Sequence, residues 1–360
     1  AIKSNVRVNM RIITTIDQSN LASSKIAAET AEREGYDGIC TLENRHDPFL
    51  PLSVASLATE RLELSTGVAI AFLRSPMSCA HISWDLNTAS SGRFVLGIGP
   101  QIKAHNEKRF SVPWSPPVPR IREYVGSLRA IWNSWKNGTK LNFRGEHYTF
   151  TLMPPNFVPE NNDCRLPPVT IAAVGQSMLR LGGEVADGVR LHPFCTRDYI
   201  RDYVLPNIEI GFERSGRQRK NFEISGGSFL ATGATNDVVA KQIEWVRYRI
   251  GFYGSTPAYW PVLESAGFPE LGEKLNRMTK EGKWDQLASE IPDALLHACT
   301  IVGRHHEIKK LIEDYYGGIS DTLVASQSYE KPSDLPPDLI SELKHVKTPF
   351  KEFSTNDWNK

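Results

Sequence analysis

Short apolar runs alternate with longer stretches of helical spacing over most of the chain. Residues 10–16 predict a first strand, and residues 21–34 repeat apolar positions at helical spacing before stopping at Gly35. The pair recurs: strand two over 37–43 with a helix over 49–60, then strand three over 62–71 with a helix over 77–89. Residues 93–98 predict strand four. Connections this short between alternating elements are the rhythm of parallel strands crossed over by helices. That rhythm breaks at residues 99–119, a long connection with Trp114 and five prolines, then resumes with an amphipathic helix over 121–135 and a hairpin over 141–151.

The most informative stretch is PPVTIAAVGQSMLRLGGEVADGVRLHP, residues 167–193. Residues 169–174 are apolar throughout, as in a strand buried on both faces, and are broken by Gly175-Gln176-Ser177. Met178, Leu179, Leu181, Val185 and Ala186 then recur at helical spacing, Asp187-Gly188 ends the helix, and Val189 opens strand six. A small-residue loop opening a helix leaves backbone N–H groups unpaired at a positive dipole end, where a phosphate can sit. A plain barrel turn with glycine for geometry is the other reading of the same residues.

Farther on, residues 197–214 predict a helix bent or broken at Pro206, 222–232 strand seven, and 236–250 another helix. Residues 251–292 depart from the pattern, with a helical stretch over 271–278 inside them; a helix over 305–315 and a short strand over 322–326 follow. Eight strands with alternating helices predict an α/β fold, a closed (β/α)8 TIM barrel over residues 1–330 with insertions after strands four and seven. The proline-punctuated tail, residues 331–360, is expected to lie along the surface or reach a neighbouring subunit.

Composition narrows the class. The 360 residues are 40% hydrophobic and 23% charged with a formal net charge of +1, which offers no electrostatic reason to expect nucleic acid or an anionic membrane. No apolar run approaches the roughly 20 residues that span a bilayer, and the first residues lack a secretory pattern. The five cysteines are scattered, with no CxxC pair, so the expectation is a cytoplasmic protein without a disulfide framework.

A (β/α)8 barrel places chemistry at the carboxyl ends of its strands. That rule selects Glu43, Asn44, Arg45, His46 and Asp47 after strand two, and Ala71, Phe72 and Arg74 after strand three. It selects Gln101, Lys103 and His105 after strand four, Gly175 to Met178 after strand five, and His192 and Phe194 after strand six. His46 is suited to proton exchange near neutral pH, with Glu43 or Asp47 to orient it. Equally, Asp47 could cap the helix entering at Pro48. No HxH, HExxH or carboxylate-rich cluster is present, so no metal is expected. GIGPQI at 97–102 lacks the third glycine of a dinucleotide fingerprint; its glycines are expected to let a flat ligand approach the backbone. Cys195 is expected to be a bystander thiol.

The ordered set GYDGICTLENRHDPFLPL (35–52), ERLELSTGVAIAFLRSPM (60–77), GRFVLGIGPQIKAHNEKRF (92–110), VTIAAVGQSMLRLGGEVADGV (169–189) and FYGSTPAY (252–259) resembles the bacterial luciferase-like superfamily. More narrowly, it resembles the branch of oxidoreductases that use the deazaflavin coenzyme F420. The resemblance implies a (β/α)8 barrel, commonly a homodimer, with a flavin-like ring across the barrel mouth and a small organic substrate. It puts the phosphate loop on Gly175, Gln176, Ser177 and Met178, a non-proline cis bulge under the ring on Gly67–Val68, and the strand-two acid on Glu43. The chain departs from the pattern at Asn44, where several relatives carry histidine, and at Ile102, where a sugar-phosphate dehydrogenase of the group carries glutamate. The acid–base candidates are therefore Glu43, His46 and His105, with Trp114, Phe72 and Phe194 as candidate walls. The resemblance implies hydride transfer between F420 and substrate. The alternatives are an FMN-dependent monooxygenase fed by a partner flavin reductase and a non-catalytic flavin-binding barrel.

Overall fold

The computed structural model describes residues 9–161, 163–326 and 335–354. Its centre is a closed barrel of eight parallel strands: β1 Arg11–Thr15, β2 Gly38–Thr41, β3 Glu63–Thr66 continued by Ala69–Ile70, β4 Phe94–Gly99, β5 Val169–Ala172, β6 Gly188–Leu191, β7 Glu223–Gly226 and β8 Thr322–Val324. Each strand pairs with its neighbours in sequence, and β8 returns to β1 in the register Arg11↔Thr322. The predicted (β/α)8 barrel is the observed one. Its helices are α1 Leu21–Glu34, α2 Leu50–Ala58, α3 Pro76–Ala89, α4 Pro117–Asn137, α5 Gln176–Val185, α6 Leu205–Ser215, α7 Asn236–Gly254 and α8 Ile308–Tyr316.

One polar device is repeated at the amino ends of the strands. Asp37, Asp187 and Asp321 each stand just ahead of a strand and accept the backbone N–H of the neighbouring strand's first turns: Ile12 at 2.9 Å, Val169 at 2.8 Å and Ile224 at 2.7 Å. These charge-assisted bonds set register between β1 and β2, β5 and β6, and β7 and β8. Burial opposes ionisation of Asp187, yet Arg129 and Arg217 beside it hold its carboxyl below the usual range. Asp321 differs, since burial pushes it up to about 6 against the pull of Arg219.

Low in the bore, Arg11 pairs with Glu63 and, at 2.8 Å, with Glu223, whose Oε1 also accepts the Thr322 hydroxyl at 2.5 Å. Outside, α5 and α6 meet glycine to glycine: a methyl built on Gly183 would lie 2.3 Å from the Ile208 carbonyl, and one on Gly211 2.3 Å from the Arg180 carbonyl. Any side chain would pry apart the two helices that set the direction of α5.

Strand three is interrupted at Gly67–Val68, the position to which the resemblance assigns a non-proline cis bulge. Three expectations are corrected. Strand seven, read as 222–232, is two strands: left-handed Gly226 and Gly227 (φ 80° and 98°) turn the chain out of the barrel, and Phe229–Gly233 pairs instead with Thr300–Arg304 in a separate two-stranded parallel sheet. The connection at 99–119 contains a one-turn-and-a-half helix, Lys103–Lys108. The break expected at Pro206 is present: a π-turn at Ile200–Val204 precedes it, and Pro206 stands in the first turn of α6. Finally, the tail is not a loose surface strap. Its start at Lys331 lies outside the described residues, but Pro337–Leu343 is a helix that buries Leu339, Ile340 and Leu343. Met10 N–H then donates to Val346 O at 2.7 Å, and Phe350 and Phe353 pack with Val95 of β4, closing the floor of their own barrel.

Candidate active site

The break in β3 is made by the Gly67–Val68 peptide, which is cis. Where the ladder to β4 would falter, the Thr66 hydroxyl substitutes for it, accepting Gly97 N–H at 2.9 Å and donating to Gly97 O at 2.6 Å. The packing there is tight. A methyl on Gly97 would lie 2.0 Å from the Thr66 carbonyl, and one on Gly99 2.9 Å from Val68. These glycines therefore serve contacts within the barrel, which corrects the expectation that they leave room for a flat ligand. Beneath Gly67 sit Cys40, whose thiol burial pushes up to about 11, and the guanidinium of Arg190.

After β2, the Glu43 carboxylate is fully engaged. Its oxygens take two bonds from Arg74, at 2.6 and 2.9 Å, and Oε2 also accepts Ile70 N–H at 2.6 Å. Arg74 further reaches Asp47 at 3.0 Å and lies over the Phe49 ring. Asp47 Oδ1 accepts the N–H groups of Phe49 and Leu50, so it caps the entry to α2. His46 is exposed on the rim near Asp17. His105 is likewise exposed, on the short helix Lys103–Lys108. Arg109 from that connection bonds the Asn44 carbonyl, so the β2 and β4 loops meet across the mouth.

After β5, Gly175 is the N-cap of α5 with φ −85° and no side-chain cap. Met178 and Leu179 both donate to its carbonyl, at 3.1 and 3.0 Å, which leaves the amides of Gln176 and Ser177 ahead of the first helical bond. A methyl built on Gly175 would meet no atom within 4 Å. Neither backbone geometry nor crowding requires glycine here, and its effect is to keep the approach to the helix N-terminus open. Arg180, one turn along, bonds Asn207 at 2.8 Å and Gln176 at 3.2 Å. Gly175, Gln176 and Ser177 are exposed and Met178 is buried. An open N-terminus with exposed amides fits a phosphate group.

After β6, His192 accepts the Phe194 N–H at Nδ1 (3.0 Å), and its ring packs against Tyr253 and Tyr259 with centroids 4.1 and 4.7 Å away. Burial, with Arg249 nearby, pushes its pKa down to about 3. The neutral ring with Nδ1 as acceptor carries its proton on Nε2. The FYGSTPAY stretch thus folds back from α7 onto the end of β6.

The structure thus brings the Gly67–Val68 peptide, the α5 N-terminus and His192 to one end of the barrel, while His46 and His105 stand on its exposed rim. Residue-by-residue reading underweighted Arg74, Arg190, Tyr253 and Tyr259. Their signal was position: Arg74 and Arg190 are cations at strand ends or in the bore, where a charge is costly without a purpose. Of the proposed walls, Phe194 is fully buried and Phe72 carries Arg120 on its face at 4.2 Å, so both are packing elements. Burial holds the Cys195 thiol up to about 12, as suits a bystander. Among the described residues, no group of three or more His, Cys, Asp or Glu side chains is placed to hold a metal ion, and no helix is long and apolar enough to cross a membrane.

A family model described as luciferase-like monooxygenase matches residues 10–322. An uncharacterized protein of Mycobacterium tuberculosis is 45% identical, over 85% of this chain and 90% of its own length. The 5,10-methylenetetrahydromethanopterin reductase of Archaeoglobus fulgidus is 27% identical, over 82% of this chain and 87% of its own length. Among solved structures, the coenzyme F420-dependent tetrahydromethanopterin reductase from Methanopyrus kandleri superposes with a TM-score of 0.73 at 19% identity, covering 94% of this chain and 98% of that one.

Proposed function

This chain belongs to the luciferase-like monooxygenase family, and from that premise we propose that it is an oxidoreductase transferring a hydride between coenzyme F420 and a small organic substrate. The observation that carries the proposal is the open N-terminus of α5: Gly175 could bear a side chain without collision, yet leaves the amides of Gln176 and Ser177 accessible. Likeness in sequence to a putative coenzyme F420-dependent oxidoreductase of Mycobacterium tuberculosis, 25% identical, supports the deazaflavin over FMN.

In this reading the amides of Gln176 and Ser177 bind the phosphate of the cofactor tail, with Met178 buried beneath them. The Gly67–Val68 peptide, backed by Cys40 and Arg190, supports one face of the ring. When bound, the deazaflavin supplies the hydride chemistry. The chain's own part is to orient substrate, exclude water and hold a proton. His192 offers a neutral Nε2–H, its ring fixed by the Phe194 amide and the rings of Tyr253 and Tyr259. Glu43 acts through position, by tying the β2 end to Arg74 and Ile70. His46 and His105 are rim groups that meet substrate only if it extends outward.

Fluorescence titration of the purified protein with oxidised F420, and separately with FMN, tests the reading. Micromolar binding of F420 with much weaker binding of FMN is expected, followed by oxygen-insensitive F420 turnover in a substrate screen. Preference for FMN, with oxygen uptake once reduced FMN is supplied, would replace it with the monooxygenase reading. Tight flavin retention without turnover in either assay would leave a binding barrel.

A further inference from the structure

Two arginines stand two residues apart on α7, and their surroundings differ. Arg247 is paired: its guanidinium donates to Asp293 Oδ1 and to the Ile291 carbonyl, each at 2.6 Å. Arg249 is half-buried and has no carboxylate partner among the described residues. It belongs to the stripe Trp245, Arg249 and Tyr253, spaced four residues apart along the helix. Its guanidinium carbon lies 5.2 Å from the Trp245 ring and 5.3 Å from the Tyr253 ring. Nη2 donates to the Tyr253 hydroxyl at 3.3 Å, while Nε is buried with no hydrogen-bond partner. The aromatic faces attract the charge but offer Nε no oxygen. A partly desolvated guanidinium with an unmet donor is costly until an acceptor arrives. Its place in the fold says where that acceptor comes from. The Tyr253 ring packs on His192, centroids 4.1 Å apart, and His192 directly follows β6. Arg249 is thus one ring removed from the carboxyl end of a barrel strand, where this fold binds its substrates. Since the imidazole is neutral, Arg249 carries the charge of the cluster it forms with His192, Trp245, Tyr253 and Tyr259.

We propose that Arg249 anchors a carboxylate of the substrate, so that the small organic substrate of this barrel is an acid with an apolar body. The inference rests on the reading above, in which the barrel is an enzyme acting on a small organic molecule. A guanidinium edge matches a carboxylate with two parallel N–H···O bonds, and here the edge that includes Nε is the one with a donor to spare. Trp245, Tyr253 and Tyr259 supply the apolar surface around it. A singly charged carboxylate on an apolar body gives up less hydration there than a phosphate dianion would. Arg249 is in this sense a specificity residue. It selects an acid over its neutral amide or ester and takes no part in hydride transfer.

The test is calorimetric titration with benzoate, its neutral isostere benzamide and inorganic phosphate, on the cofactor-free and the F420-saturated protein. The wild type is expected to bind benzoate at least about tenfold more tightly than benzamide in both forms, and more tightly than phosphate. Arg249→Met should bring the benzoate-to-benzamide ratio toward one and leave F420 affinity unchanged. Arg249→Lys keeps the charge and should retain part of the preference; it also serves if the methionine variant folds poorly. Equal binding of benzoate and benzamide by the wild type, or an unchanged ratio in Arg249→Met, would overturn the proposal. Tighter binding of phosphate would overturn the carboxylate assignment, and exclusion of benzoate by F420 would give the anchor to the cofactor instead. Each of these results leaves the cofactor reading standing. Failure of the wild type to bind F420 or FMN would overturn that reading, while the titrations of the cofactor-free protein would still decide whether Arg249 holds a carboxylate.

Discussion

Arg74 grips both carboxylate oxygens of Glu43, with Nη2 to Oε1 at 2.6 Å and Nη1 to Oε2 at 2.9 Å. The pair ties the end of β2 to the loop between β3 and α3, and its side chains are only 8% and 18% exposed. An acid so fully engaged has little capacity left to exchange protons with substrate. If its work is to hold the loop, removing either partner should have the same result. Glu43→Gln and Arg74→Met are each expected to cost about 2–3 kcal/mol of stability, as for lost hydrogen bonds between charged groups. They should reduce turnover to a similar extent. A large loss of turnover in Glu43→Gln with an unchanged melting point and a near-normal Arg74→Met would return Glu43 to the role of acid or base.

Gly175 separates stability from binding. Aspartate is a favourable N-cap, only a few tenths of a kcal/mol better than glycine, and the structure has space for it. Gly175→Asp should leave the melting point unchanged or slightly raised while weakening F420 binding at least tenfold, since its carboxylate would repel a phosphate at the same amides. Calorimetry and fluorescence titration of one preparation read both quantities. Undiminished F420 affinity in this variant would place the phosphate elsewhere.

Gly97 makes the opposite case. A methyl there collides with the Thr66 carbonyl and with Arg190. Gly97→Ala should destabilise the fold by roughly 1–3 kcal/mol or more, the range for overpacked cores, and should disturb the hydroxyl bridge from Thr66 to Gly97. Urea unfolding gives the number; a variant as stable as the wild type would show that β3 and β4 can part locally at no cost.

His192 governs one component of acid sensitivity. Burial, helped by Arg249, pushes its pKa from 6.5 down to about 3, so the unfolded chain binds a proton that the folded one does not anywhere between those values. By linkage, stability from keeping this ring neutral is fully present above 6.5 and is lost as pH falls toward 3. His192→Phe removes that component, so its melting point relative to the wild type should climb between pH 7 and pH 5. Parallel melting curves across that range would mean that the folded ring titrates normally.

The tail gives a stability prediction of its own. Ending the chain before Leu335 would uncover Val95, remove Phe350 and Phe353, and take the Phe350 N–H from Asp321. The truncated protein is expected to melt well below the full chain and to bind an apolar dye, even though the mouth at the other end of the barrel is untouched.

The barrel was legible because its signals are local. Apolar runs, helical spacing and glycine stops recur along the chain within a few residues of one another, and α1 was predicted to the residue. The α5 N-terminus was equally open to reading, since loop and helix are contiguous. Strand seven misled because two apolar strands separated by Gly226 and Gly227 look like one run until those glycines turn the chain. Partnership was decided by tertiary structure alone. Glu43 finds Arg74 31 residues away, Arg11 finds Glu223 across 212 residues, and the tail finds Val95 from the far end of the chain. The sequence by itself determined that charges stand at strand ends and that a phosphate could be held after β5. Which charges are already neutralised, and that Arg190 has no carboxylate partner among the described residues, depended on barrel closure, because a side chain's counter-charge is set by what lies beside it in space.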